Sequence, residues 1–133
     1  AEKAASNAYA PYSDFFVGAA VLMNNGEVIH ASNQENSAYP SGLCAERTAV
    51  FYANSKYPDS PVIANAIAAK KDERVLKTPI PPCGSCLQVL LESERRHQKP
   101  IQVILYGTDK IYVADSIEQF LPYGFSSLSL KGS

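Results

Sequence analysis

Apolar positions in this chain fall into short runs whose spacing alternates between strand-like and helix-like. Phe16 to Met23 is almost wholly apolar, Glu27 to Ser32 is mixed, and Asn24-Asn25-Gly26 stands between them. Asn-Gly between two such runs marks a hairpin, because both turn positions must tolerate positive φ. Val62 to Ala69 is small or branched and apolar apart from Asn65, as suits a largely buried central strand. Ile101 to Tyr106 and Lys110 to Ala114 read as two further strands separated only by Gly107, Thr108 and Asp109. So short a connection cannot return the chain for a parallel partner, so this pair is expected to be antiparallel.

Helical segments alternate with these strands. Glu2 to Tyr9 is rich in alanine and predicts a short helix that ends before Pro11. Cys44 to Ser55 carries Ala45, Ala49, Tyr52 and Ala53 along one side. Pro79, Pro81 and Pro82 forbid regular structure up to Cys83, where a helix bearing Leu87, Leu90 and Leu91 begins and runs to Arg96. Ser116 to Leu121 predicts a short helix capped by Ser116, with loop from Pro122 onward. The fold class this order predicts is α/β: a single mixed five-stranded sheet covered by helices, its last two strands antiparallel, in one domain over residues 1–133.

Charge narrows the range of partners. Lys plus Arg number 12 against 13 Asp plus Glu, whereas a protein that tracks a phosphate backbone carries a basic surplus on one face. Nucleic acid is therefore not expected as a partner, and the basic stretches at Lys70 to Lys77 and Glu94 to Lys99 read as solvated surface. No apolar run approaches bilayer length and the N-terminus lacks a basic-then-apolar leader, so a cytoplasmic protein without a membrane partner is expected. Three cysteines cannot all pair within the chain, which argues against a secreted disulfide framework and leaves thiols free as metal ligands.

Those three cysteines carry the chemistry. Cys44 opens one predicted helix, and Cys83 and Cys86 lie one turn apart at the start of another, so both of the latter sulfurs share a side. Helix N-termini carry partial positive charge that favours thiolates. Three thiolates fill three of zinc's four tetrahedral positions, and an open fourth position distinguishes a catalytic site from a structural one. Glu46, two residues past Cys44, can lie beside that position without being a ligand if the helix axis points at the metal. Arg47 is the natural donor to a thiolate, offsetting the negative charge of three sulfurs. Singly, each residue has an ordinary role: a cysteine as a small buried hydrophobe, a glutamate as partner to a helix dipole. Their combination points to a metal centre.

Cys44-Ala45-Glu46-Arg47-Thr48-Ala49 and Pro82-Cys83-Gly84-Ser85-Cys86 resemble the zinc motifs of the small, homotetrameric cytidine deaminases. Pro11-Tyr12-Ser13 leading into Phe16-Val17-Gly18-Ala19-Ala20, Asn33-Gln34-Glu35-Asn36 and Leu121-Pro122 reinforce the likeness, which runs from Tyr9 to Phe125. The resemblance implies a three-layer α/β/α fold and one zinc ion per subunit on Cys44, Cys83 and Cys86. It implies hydrolysis of cytidine and/or 2′-deoxycytidine to the uridine product and ammonia, a reaction of pyrimidine salvage, with Glu46 as the proton shuttle. It assigns the sugar hydroxyls to Asn33 and Glu35 and a backbone contact with the base to Ala45. Phe15, Tyr39 and Phe125 would pack around the nucleoside, some of them from neighbouring subunits. One position departs from the pattern: many relatives have arginine where this chain has Leu87, which shifts charge compensation onto Arg47 and the helix ends.

Several alternatives stay open on sequence grounds. Cys83-Gly84-Ser85-Cys86 at a helix start also imitates a thiol-disulfide oxidoreductase motif. A structural zinc module would need His30 or His97 to close the fourth position. Among deaminases, the substrate alternatives are an aminonucleoside antibiotic or a polynucleotide. The short Gly107 to Asp109 connection and the neutral charge favour the nucleoside branch over a polynucleotide.

Overall fold

The structure, a computed structural model, describes residues 1–132; the expected domain reaches one residue further, to Ser133, outside them. The predicted hairpin forms between β1 (Phe16–Met23) and β2 (Val28–Ser32), antiparallel with Val21 opposite Ile29. Within this loop positive φ is confined to Gly26, at 88°. The Asn25 side chain instead accepts from Glu27 N–H at 3.0 Å, and the Met23 N–H reaches Glu27 O at 2.8 Å. The loop is thus a three-residue turn ending in a left-handed glycine, not the two-residue form that needs two positive φ angles.

The central strand is β3 (Val62–Lys71), which pairs antiparallel with β1 on one side and parallel with β5 (Gln102–Tyr106) on the other. A parallel pair needs a crossover, and α3 (Gly84–His97) supplies it. After the short connection β6 (Ile111–Ala114) runs antiparallel to β5, as expected. The order along the sheet is β2-β1-β3-β5-β6, the five expected strands. A sixth, two-residue strand, β4 (Arg74–Val75), folds back on the end of β3. It lies inside the stretch that charge alone marks as solvated surface, and its turn uses Asp72 and Glu73 at φ 50° and 60°, a consecutive left-handed pair without glycine.

Strand alternation assigns the two faces. Val17, Ala19, Val21 and Met23 of β1 point to one core, where α2 (Ala45–Lys56) contributes Ala49, Val50 and Ala53 and α3 contributes Leu90 and Leu91. On the opposite face of β1, Gly18 lets α1 (Glu2–Ala5) lie so close that a Cβ would meet Ala1 O and Ala5 N. Helix α1 stops short of the expected Tyr9, because the Tyr9 N–H is drawn to Asn33 O at 3.0 Å and the chain there bridges to Gln34.

Glu94 fastens the far end of α3. The residue is 6% exposed, and its carboxylate accepts from Ile101 N–H at 2.7 Å, Ile117 N–H at 3.0 Å and Ser116 Oγ at 2.8 Å. Ser116 caps as expected, accepting from Glu118 N–H at 3.1 Å, but the element is a 3₁₀ turn over Ile117–Gln119 and not a helix to Leu121. Beyond Pro122 the chain also departs from the loop expectation: α4 (Ser127–Lys131) forms behind a capping box between Ser126 and Ser129.

Candidate metal centre

Two helix starts converge on one point. Cys44 is the N-cap of α2 and Cys83 the N-cap of α3, both in extended backbone conformation, and neither sulfur is used to cap its helix. Cys86 follows in the first turn of α3, fully buried. The Cys44 and Cys83 sulfurs are 3.7 Å apart, the Cys83 and Cys86 sulfurs 3.4 Å, and all three lie within 4.8 Å of one another. Sulfurs at two corners of a zinc tetrahedron with Zn–S bonds of about 2.3 Å stand about 3.8 Å apart. Two of the separations thus lie close to those of a zinc tetrahedron, and the third, at no more than 4.8 Å, needs at most a small closure around the ion. Among the described residues this is the one group of metal-ligating type, and it includes neither His30 nor His97. No histidine closes the fourth corner, as a structural zinc module would require.

Electrostatics at the trio follow from its surroundings. Without metal, the Cys44 thiol is pulled down to about 5, first by the neighbouring Cys86 thiol and further by Arg47 and Cys83, while the proximity of Cys44 and burial push Cys86 up. Arg47 donates from Nη2 to Cys44 Sγ at 3.7 Å, the contact its position predicts. Leu87 packs into the apolar core and brings no charge to the sulfurs.

Glu46 is not in the ligand group, yet it is 4% exposed. Burial raises the pKa of its carboxyl, the charge of Cys44 adds to this, and a hydrogen bond with Cys86 and the charge of Arg47 oppose it. A buried carboxyl beside the sulfurs, inclined to hold a proton, can exchange protons with whatever occupies the metal's open position.

A cavity of about 500 Å³ opens beside Cys44. Paired bonds between Gln34 and Leu43, at 2.9 and 3.0 Å, carry the segment after β2 alongside the approach to Cys44, and strand alternation then turns Asn33 and Glu35 to a common side. Asn33, Glu35, Tyr39, Cys44 and Arg47 all line this cavity. Ala45, next in the chain after Cys44, is fully buried and is not among the lining residues. Phe15 is packed against the core, and Phe125, 58% exposed, is tied by its carbonyl to Gln88 Nε2 at 2.9 Å. Neither of these two phenylalanines lines the cavity within one chain.

Asn33 has a second occupation that its place in the motif does not reveal. Its Oδ1 accepts from Val17 N–H at 2.8 Å and its Nδ2 donates to Phe15 O at 2.9 Å. The side chain amide thus acts as one rung of a ladder along the start of β1, and one donor and one acceptor site remain for a ligand. Tyr12 and Ser13 are cavity residues that were not singled out from sequence; Pro11-Tyr12-Ser13 stood there only as part of a motif.

Comparison with known proteins agrees with this geometry. A family model described as the cytidine and deoxycytidylate deaminase zinc-binding region matches residues 1–99. The chain is 48% identical over 90 residues to a cytidine deaminase of Halalkalibacterium halodurans, covering 68% of this chain and 64% of that one. It is 46% identical over 91 residues to one of Sporosarcina psychrophila, covering 68% and 62%. The matched stretches thus span just under two thirds of these relatives. A crystal structure of a cytidine deaminase from Burkholderia pseudomallei superposes with a TM-score of 0.79 at 38% identity, covering 94% of this chain and 93% of that one. One from Mycobacterium tuberculosis superposes at 0.71 and 34%, covering 94% and 90%.

Proposed function

The chain belongs to the cytidine and deoxycytidylate deaminase zinc-binding family, and from that premise we propose that it hydrolyses cytidine or 2′-deoxycytidine to the uridine product and ammonia. The observation that carries this reading is the meeting of three sulfurs at zinc-binding separation with a buried, non-ligating carboxyl. Zinc held by Cys44, Cys83 and Cys86 supplies Lewis acidity that activates water at neutral pH. Glu46 takes a proton from the attacking water, delivers it to ring nitrogen 3, and returns a proton to the departing amino group. Water adds at carbon 4 and ammonia leaves, so the balance closes without a further reactant. The raised pKa of Glu46 suits a group that both takes and gives a proton. Arg47 offsets the charge of the sulfurs, and the backbone of Ala45 faces the base.

Charge at the cavity favours a nucleoside over a nucleotide. Its wall carries the Glu35 carboxylate, and its single cationic side chain, Arg47, is engaged with Cys44; a 5′-phosphate would meet repulsion and no free cationic partner. Asn33 and Glu35 receive the sugar, and Phe15, Tyr39 and Phe125 enclose the nucleoside. Because Tyr39 is 76% exposed and Phe125 does not line this chain's own cavity, the enclosure is completed by neighbouring subunits of a homotetramer. Exposed Phe51, Tyr52, Leu128 and Leu130 supply apolar surface for that assembly. No helix among the described residues is long and apolar enough to cross a membrane, and the reading places the enzyme in the cytoplasm. Incubating the purified protein with cytidine tests the proposal: loss of the cytidine absorbance with matching release of ammonia supports it, and an unchanged spectrum with zinc present refutes it.

A further inference from the structure

Three hydrogen bonds reach the carboxylate of Glu35 from a single turn of chain. The Tyr12 N–H lies 2.9 Å from Oε2 and the Ser13 N–H 3.3 Å from the same atom, while Ser13 Oγ donates to Oε1. The turn is shaped for this. Pro11 fixes one φ, and Asp14 sits at φ 53° with its N–H on Ala10 O at 3.1 Å. Successive N–H groups ahead of a left-handed residue form a concave seat for an anion. Glu35 is tied to the same stretch by its own N–H, which donates to Tyr9 O at 2.9 Å.

A carboxylate offers about four acceptor sites. Three are occupied here, two on Oε2 and one on Oε1, so a single site on Oε1 remains. The orientation of the Ser13 hydroxyl is itself fixed, because its oxygen accepts from Phe15 N–H at 3.2 Å and its proton is thereby turned to Glu35. Asn33 Nδ2 holds Phe15 O from the other side, so the two residues assigned to the sugar are wired to one segment.

We propose that Ser13 is a positioning residue for the sugar end of the substrate: its hydroxyl, set by Phe15 N–H, aims Glu35 Oε1 so that one remaining lone pair receives one ribose hydroxyl. The inference rests on the nucleoside reading above. The pKa of Glu35 is lowered, with the Ser13 bond as the largest cause, which keeps the carboxylate in the form that only accepts. Ser13 acts through Glu35, so its loss should be felt in sugar recognition and not in the proton transfers at Glu46.

The test compares wild type, Ser13→Ala and Ser13→Thr in cytidine turnover and in calorimetric binding of uridine and of 1-methyluracil, which lacks the sugar. Ser13→Ala is expected to raise KM for cytidine and Kd for uridine about tenfold, with kcat within about twofold and 1-methyluracil binding at the wild-type level. Ser13→Thr, which keeps the hydroxyl, restores most of the loss. In a Glu35→Ala background Ser13→Ala adds nothing further, as expected of residues acting as one unit. A loss that falls on kcat, or that weakens 1-methyluracil equally, overturns the inference. An active wild type matched by Ser13→Ala overturns it alone, whereas a zinc-loaded wild type that leaves cytidine intact overturns the deaminase reading and this inference with it.

Discussion

Arg47 and Cys44 stand one turn apart at the start of α2, and the Arg47 guanidinium donates to the Cys44 sulfur across 3.7 Å. With Leu87 buried in the core, Arg47 is the side chain that brings positive charge to a site of three thiolates. Removing such a partner of a metal ligand costs about 10- to 100-fold in metal affinity. Arg47→Ala is therefore expected to release zinc to a chromophoric chelator at least about tenfold more readily than wild type, with Arg47→Lys in between. Equal zinc retention by wild type and Arg47→Ala would show that the helix ends suffice.

Asn33 carries a structural duty along with its proposed sugar contact, since both of its amide atoms clamp the backbone at Phe15 and Val17. Asn33→Ala leaves a part-buried N–H and C=O without their partner. It should lower unfolding stability by about 1–3 kcal/mol in urea titration as well as raising KM for cytidine. A raised KM with an unchanged urea midpoint would mean that the clamp contributes nothing.

Glu94 joins the end of α3 to the start of β5 and to the 3₁₀ turn through two backbone N–H groups and one hydroxyl. Truncation orphans buried donors, so Glu94→Ala is expected to cost about 2–5 kcal/mol of stability. The metal site, at the opposite end of α3, should still bind zinc in the folded fraction. A loss under about 1 kcal/mol would contradict the reading.

Glu35 has a folded-state pKa below its ordinary 4.5, owing first to the bond from Ser13. A depressed carboxylate stabilises the folded state above the ordinary value, and this contribution fades as pH falls through the folded-state value. Wild type should therefore melt above Glu35→Gln at neutral pH, and the gap should narrow as the pH drops below 4.5. A gap constant from about pH 7 to about pH 3 would contradict the ionised, hydrogen-bonded carboxylate.

What could be read from the chain and what could not divide along physical lines. Strong local signals identified their elements: Gly26 for the hairpin, Pro82 before α3, and the three-residue connection that makes β5 and β6 antiparallel. The metal centre was legible because ligand chemistry tolerates few residue types and all three sulfurs lie at helix starts. Missed features rest on signals that are weak or long-range. Asp72 and Glu73 turn the chain at positive φ without glycine or asparagine. The Ser126 and Ser129 pair that starts α4 replaces the usual glutamate of a capping box with a second serine. The seat of Glu35 joins residues more than 20 positions apart, and the clamp of Asn33 on Phe15 spans 18; no local pattern encodes either. Glu94 reads from sequence as part of a charged surface helix, and only the approach of Ile101 and Ile117 buries it.

The central claim is that Glu46 moves protons beside a zinc ion that it does not hold. Its most direct test measures zinc content and cytidine turnover together in wild type and Glu46→Gln. One zinc per chain is expected in both proteins, with turnover in the variant lower by about 100-fold or more. Substantial turnover by zinc-replete Glu46→Gln, or loss of the metal along with the carboxyl, would contradict the account.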